Sequence, residues 1–259
     1  MAFAELNGVR VCYQLTGDAG LPALVLSNSL GANLAMWEPQ VNPIGSRYRL
    51  LRYDTRGHGR SSIPPGPYTV ADLGQDVLRL LDFLGIEQAS FCGLSMGGST
   101  GIWLGINAAN RIGKLVLADT AARIGVAEVW STRIETVLRD GLDSVIPGTL
   151  ERWFTPSFHS AHPDVVAATS AMLHATDVQG YSACCAAIRD ADFRASLQFI
   201  HSPTLVIAGT HDPVTTPEDG RYIAQNIANA SYVELPAAHL SNVEAAGEFN
   251  AALLDFLDA

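Results

Sequence analysis

Short apolar runs alternate with helical stretches through the first half of the chain. Residues 3–6 and 9–15 read as two strands joined at Asn7-Gly8, a dipeptide suited to the two-residue turn of a hairpin. Apolar runs at 23–27 and, with arginines interspersed, at 48–53 predict two more strands, with a helix at 34–41 between them. The spacing of Leu73, Val77, Leu80, Leu81 and Leu84 predicts an amphipathic helix over 70–84. A strand at 90–93, a helix from Met96 and a strand at 114–118 follow. Strands alternating with helices predict an α/β fold, a mostly parallel central sheet with helices on both faces.

The pattern changes at 122–195, where strand signals vanish. Helical segments are predicted at 126–139, 142–146, 150–154, 163–175 and 179–187. Strand character returns at 203–209 and 231–235. Residues 1–121 and 196–259 are therefore expected to form the core, and 122–195 a helical cap, or lid, over the strand ends. No Pro/Gly/Ser-rich linker flanks the insertion, which argues against a separate helical domain. One further pattern stands out in the helix after Ser95. Gly97, Gly101 and Gly105 recur every four residues, and each costs about 1 kcal/mol relative to alanine in a helix. Close packing of that face is the expected compensation.

Composition narrows the field. The net charge of −10 argues against nucleic acid or an anionic membrane surface as partner, and oligomeric state is unknown from sequence. No uncharged apolar run approaches the roughly 20 residues of a membrane helix. The first residues carry no basic-then-apolar leader pattern, so a cytoplasmic location is the expectation. Cys12, Cys92, Cys184 and Cys185 show no metal-ligand or redox spacing and read as buried thiols in a reducing compartment. Lys114 is the only lysine; every other fixed cation is an arginine.

The chemistry centres on Gly93-Leu94-Ser95-Met96-Gly97. A G-x-S-x-G frame between a strand and a helix describes a sharp turn that holds the serine hydroxyl clear of its backbone. The Met96 N–H, at the helix start, can donate to an oxyanion. A serine hydroxyl needs an imidazole to take its proton, and the imidazole needs a carboxylate to fix its tautomer. Asp212 follows the strand at 203–209 and His239 the strand at 231–235, so all three fall at carboxyl ends of strands, where open parallel sheets bind ligands. Asp119, after the strand at 114–118, is the rival acid, and His211 the rival base. The loop after 23–27 supplies Leu30, whose N–H is the second candidate oxyanion donor.

The nucleophile turn, the loop Asp54-Thr55-Arg56-Gly57-His58-Gly59-Arg60-Ser61, the acid loop and the terminal histidine loop together resemble the α/β-hydrolase superfamily. That resemblance implies an antiparallel second strand, parallel strands elsewhere, a helical cap and no cofactor or metal. Asn28-Ser29 stands where the family often has His-Gly, a change that leaves the backbone N–H available. More narrowly, the stretches 27–31, 152–156 and 180–190 are similar to 3-oxoadipate enol-lactonases, which open a carboxymethyl enol-lactone in aromatic degradation by the β-ketoadipate pathway. The resemblance implies an anionic lactone substrate, for whose carboxylate Arg133, Trp153 and Arg189 in the cap are candidates. A general carboxylesterase or perhydrolase-like enzyme, and a non-catalytic ligand-binding protein, remain the alternatives. Haloalkane dehalogenation is disfavoured, because it requires a carboxylate nucleophile at position 95.

Overall fold

The computed structural model describes residues 1–259. Asn7 and Gly8 both adopt left-handed conformations, φ 52° and 88°, and join β1 (Ala2–Leu6) to β2 (Val9–Thr16) in the expected hairpin. After β3 (Ala23–Ser27), the helix expected at 34–41 is composite: a 3-10 turn over Leu34–Trp37 runs into α1 (Glu38–Gly45). Pro39, in the first turn of α1, favours a fresh helix start there because it has no N–H to donate. Next come β4 (Arg49–Tyr53), α2 (Val70–Phe83), β5 (Ala89–Leu94), α3 (Met96–Asn107) and β6 (Ile112–Ala118). Thr69 and Asp72 form a capping box at the start of α2, and Leu73, Val77, Leu80 and Leu81 are buried as the periodicity requires.

Five helices then intervene: α4 (Ala127–Asp140), α5 (Ile146–Trp153), α6 (Pro156–Ala161), α7 (Pro163–His174) and α8 (Val178–Asp190). The expected helix at 142–146 is only a 3-10 turn, Leu142–Ser144, and α5 begins beyond it with Pro147 in its first turn. The chain closes with β7 (Thr204–Gly209), α9 (Pro217–Asn226), β8 (Ala230–Leu235), α10 (Ser241–Glu244) and α11 (Ala246–Asp258). No helix is long and apolar enough to cross a membrane.

The eight strands form one sheet in the order β1-β2-β4-β3-β5-β6-β7-β8. Only β2 runs antiparallel to its neighbours; β4, β3 and β5 through β8 pair in parallel. Successive strand residues feed opposite faces. Leu24, Leu26, Cys92, Leu94, Val116 and Ala118 join one core, while Val25, Phe91, Leu115 and Leu117 join the other. The first core continues into the helices between β6 and β7 through Trp153, Tyr181, Cys184 and Ile188. All four cysteines are buried free thiols.

The glycine row in α3 has the expected close packing. A Cβ on Gly97 would lie 2.2 Å from the Ser27 carbonyl oxygen at the end of β3. One on Gly101 would meet Leu117 and Phe91 at 3.0 Å, and one on Gly105 would meet Leu115 at 3.1 Å. Lys114, in the amino-terminal half of β6, sends its Nζ to the carbonyls of Phe256 (3.1 Å) and Leu257 (2.9 Å) in the last turn of α11. A cation suits the negative end of that helix dipole.

Candidate active site

Ser95 stands between β5 and α3 with φ 57° and ψ −112°, a conformation that side-chain-bearing residues rarely adopt. Neighbours hold it there: its N–H donates to Ala118 O (3.0 Å), and its carbonyl accepts Thr120 Oγ1 (2.8 Å). Gly93 admits the turn, since a Cβ there would lie 2.0 Å from the Gly97 carbonyl oxygen. At the next rim loops, His239 Nδ1 donates to Asp212 Oδ2 at 2.7 Å. Asp212 also accepts the Val214 N–H (2.7 Å), the Thr215 N–H (3.2 Å) and the Thr215 hydroxyl (2.7 Å). With Nδ1 committed, His239 Nε2 is left to exchange a proton with a substrate or nucleophile.

Ser95 and His239 line one small cavity of about 60 Å³, together with Leu30, Trp153, Arg133 and Arg152. The Leu30 N–H finds no acceptor within the chain, and the Met96 N–H precedes the first helical acceptor of α3. Arg133 Nη1 donates to Tyr181 OH at 2.9 Å, and its guanidinium lies 5.9 Å from the centre of the Trp130 ring. Neither Arg133 nor Arg152 has a carboxylate partner within ion-pair distance. A larger crevice, about 800 Å³, lies between α5–α6 and the loops after β7 and β8, but neither Ser95 nor His239 lines it. Geometry rather than size therefore singles out the smaller cavity as the candidate reactive centre.

The sequence profile described as the alpha/beta hydrolase fold matches residues 22–246. The chain belongs to that family. Among α/β hydrolases, it is similar to 3-oxoadipate enol-lactonase 2 of Acinetobacter baylyi, with 46% identity covering 95% of this chain and 92% of the relative. It also resembles 3-oxoadipate enol-lactonase 1 of the same organism, with 43% identity covering 94% and 91% of the two chains. The crystal structure of the enol-lactonase from Burkholderia xenovorans LB400 superimposes with a TM-score of 0.98 at 46% identity, covering 100% of both chains.

Charge in this α/β-hydrolase site is arranged around the histidine. Burial disfavours the His239 cation, but the Asp212 charge and hydrogen bond, aided by Asp119, outweigh it and raise the pKa above its usual value. Asp212 moves the opposite way: burial would raise it, yet the imidazolium, Thr215 and Val214 hold it below the ordinary carboxylate range. Asp119, the rival acid, lies elsewhere in the network. Its carboxylate accepts the Gly209 N–H (2.8 Å), the Ser241 N–H (3.2 Å) and the Ser241 hydroxyl (2.5 Å), tying the loop after β8 to the end of β7. Burial and the nearby Asp212 charge push its pKa up to about 7. His211, the rival base, lines the larger crevice.

One expected substrate contact is corrected by the geometry. Arg189, near the end of α8, pairs with its neighbour Asp190 (Nε to Oδ1, 2.8 Å) and lines an outer groove beside Pro64–Pro67. Its guanidinium is satisfied away from Ser95. Arg152, which adjoins Trp153 and which composition and periodicity did not single out, lines the cavity with Ser95 instead. Tyr181 and Trp130, which contact Arg133, were also not singled out as site residues: Trp130 lies one turn before Arg133 on α4, and Tyr181 reaches it only because α4 packs against α8.

Proposed function

We propose that the protein is a serine hydrolase that opens 3-oxoadipate enol-lactone to 3-oxoadipate. One observation carries the choice of an anionic substrate: Arg133 and Arg152, both without carboxylate partners, share a cavity with Ser95 and His239. A protein of net charge −10 repels anions at long range, so local guanidiniums must capture the substrate carboxylate. The similarity to enol-lactonases at 43% and 46% identity supports the same substrate.

Ser95 Oγ attacks the lactone carbonyl while its proton passes to His239 Nε2. The Leu30 and Met96 N–H groups receive the charge that develops on the carbonyl oxygen. When the ring C–O bond breaks, His239 returns the proton to the departing enol oxygen. That enol is tethered to the acyl chain, so the acyl-enzyme forms with no alcohol released. Water, deprotonated by His239, then cleaves the Ser95 ester, and the enol settles as the ketone. Residues 122–195 act as the cap that closes over this site, with Trp153, buried and 6.4 Å from the His239 ring, forming an apolar wall.

Assays of Arg133→Gln and Arg152→Gln on a panel of lactones with and without a free carboxylate test this reading. Each substitution should raise KM for the carboxylated enol-lactone about 10–100-fold, equivalent to the roughly 1.5–3 kcal/mol of a hydrogen bond to a charged group. KM for a neutral ester should barely change. Equal or faster hydrolysis of neutral esters by the unaltered enzyme would make it a general carboxylesterase instead.

A further inference from the structure

The loop 54–61 contributes nothing to the triad, yet it reaches the oxyanion loop. His58 is buried, and its Nε2 accepts the Gly31 N–H at 2.8 Å. An accepting nitrogen carries no proton, so the single ring proton sits on Nδ1, which faces Arg56 O at 3.3 Å. Cys184 Sγ, from α8, lies 3.9 Å from the same nitrogen. Burial lowers the imidazole pKa to about 4, so the accepting form persists at neutral pH. The far side of Gly31 is held too, because Thr176 Oγ1 donates to its carbonyl at 2.8 Å. Gly31 itself has φ 83°, and a Cβ there would lie 2.7 Å from Leu173.

We propose that His58 is a positioning residue for the oxyanion hole: by accepting the Gly31 N–H, it fixes the Leu30–Gly31 peptide and keeps the Leu30 N–H turned toward the cavity beside Ser95. The inference rests on the assignment of Leu30 as an oxyanion donor. Asn28 braces the start of the same loop, with Nδ2 on Tyr53 O (2.8 Å) and Oδ1 accepting Trp37 Nε1 (3.0 Å). At the Leu30–Gly31 peptide, the His58 contact is the only hydrogen bond made to the Gly31 N–H.

His58→Leu removes the acceptor and keeps apolar volume, whereas His58→Gln restores an oxygen acceptor near the Nε2 position. The readouts are kcat and KM on an activated neutral ester, and inhibition by benzeneboronic acid, which forms a tetrahedral adduct on serine. His58→Leu should lower kcat about tenfold, less than the ~10²–10³ for losing an oxyanion donor outright. Boronic acid affinity should fall in parallel, KM should hold, and His58→Gln should recover most of both losses. Wild-type kcat in His58→Leu overturns the proposal. So does a His58→Gln variant that has a native near-UV spectrum yet loses tenfold, which also decides the matter if His58→Leu does not fold. Replacing Leu30 by its α-hydroxy acid deletes that N–H without touching any side chain, and weakens only the Ser29 carbonyl that accepts the Ala32 N–H. Full activity there refutes the donor assignment, while loss there with an unaffected His58→Leu refutes only the role of His58.

Discussion

Gly97→Ala is a one-methyl change whose effect should reach both stability and catalysis. Its Cβ would lie 2.2 Å from the Ser27 carbonyl oxygen and 2.6 Å from the carbonyl carbon. Both are backbone atoms, so no rotamer change relieves the clash, and α3 must separate from β3 by on the order of 1 Å to restore ordinary contact. Overpacking of this kind costs about 1–3 kcal/mol, at the upper end where backbone must move. Alanine's helix propensity offsets about 1 kcal/mol of that. A net loss of about 2 kcal/mol corresponds to a Tm lower by roughly 4–8 °C in a domain of this size. Ser27 leads into the loop bearing Leu30, and Gly97 follows Met96, so the same movement spreads the two candidate oxyanion donors. Turnover of an activated ester should therefore fall more than about tenfold at temperatures where the variant is fully folded. Gly101→Ala is the control: its Cβ meets side-chain ends, Leu117 and Phe91 at 3.0 Å and Leu115 at 3.2 Å, which can give by a few tenths of an ångström. That variant should stay within about 1 kcal/mol of the parent. A Gly97→Ala enzyme with an unchanged melting curve and unchanged kcat would refute the account of the helix–strand contact.

Ser95→Ala should abolish ester turnover with the fold intact; a loss smaller than about tenfold would exclude Ser95 as nucleophile, since removing a triad serine costs orders of magnitude. Because His239 acts as a base only when neutral and its pKa is raised, the acid limb of kcat/KM should lie above pH 6.5. The stability linked to this group runs the other way: it is fully present below about pH 6.5, the unfolded value, and is lost as pH rises through the folded pKa. An acid limb below pH 6 would contradict the pairing of His239 with Asp212. Asp119→Asn removes a charge that favours the imidazolium, so the limb should move to lower pH, and an unmoved limb would mean Asp119 carries no charge there.

The sheet and the catalytic rim were legible because burial on both faces leaves its mark along the chain. Short continuous apolar runs mark β3, β5 and β6, the three-to-four spacing marks α2, and residues after parallel strands converge whatever their separation in sequence. Short helices defined by caps rather than apolar stripes were not legible. Thr155 caps α6 by accepting the Phe158 N–H, and Thr216 with Asp219 boxes the start of α9; no long apolar repeat accompanies either. Along the chain Asp212 is already the preferred acid over its rival Asp119, and three dimensions separate the two, since His239 Nδ1 bonds Asp212 while Ser241 bonds Asp119. Likewise Arg133, Arg152 and Arg189 look alike along the chain. Packing directs two into the cavity and leaves the third beside Asp190.

The arginine-for-lysine bias matters for what happens after hydrolysis. The proposed product is a 3-oxo acid, a class prone to lose carbon dioxide once an amine condenses with its ketone to form an imine. A guanidinium stays protonated and delocalised, so it can grip a carboxylate without attacking the neighbouring carbonyl. The single ε-amine of the chain, Lys114, is engaged by the carbonyls of Phe256 and Leu257, in the half of β6 away from the rim that carries Ser95. The proposed recognition by Arg133 and Arg152 would therefore take place in a cationic pocket with no imine-forming group in it, and the keto acid would leave with both carboxyl groups intact.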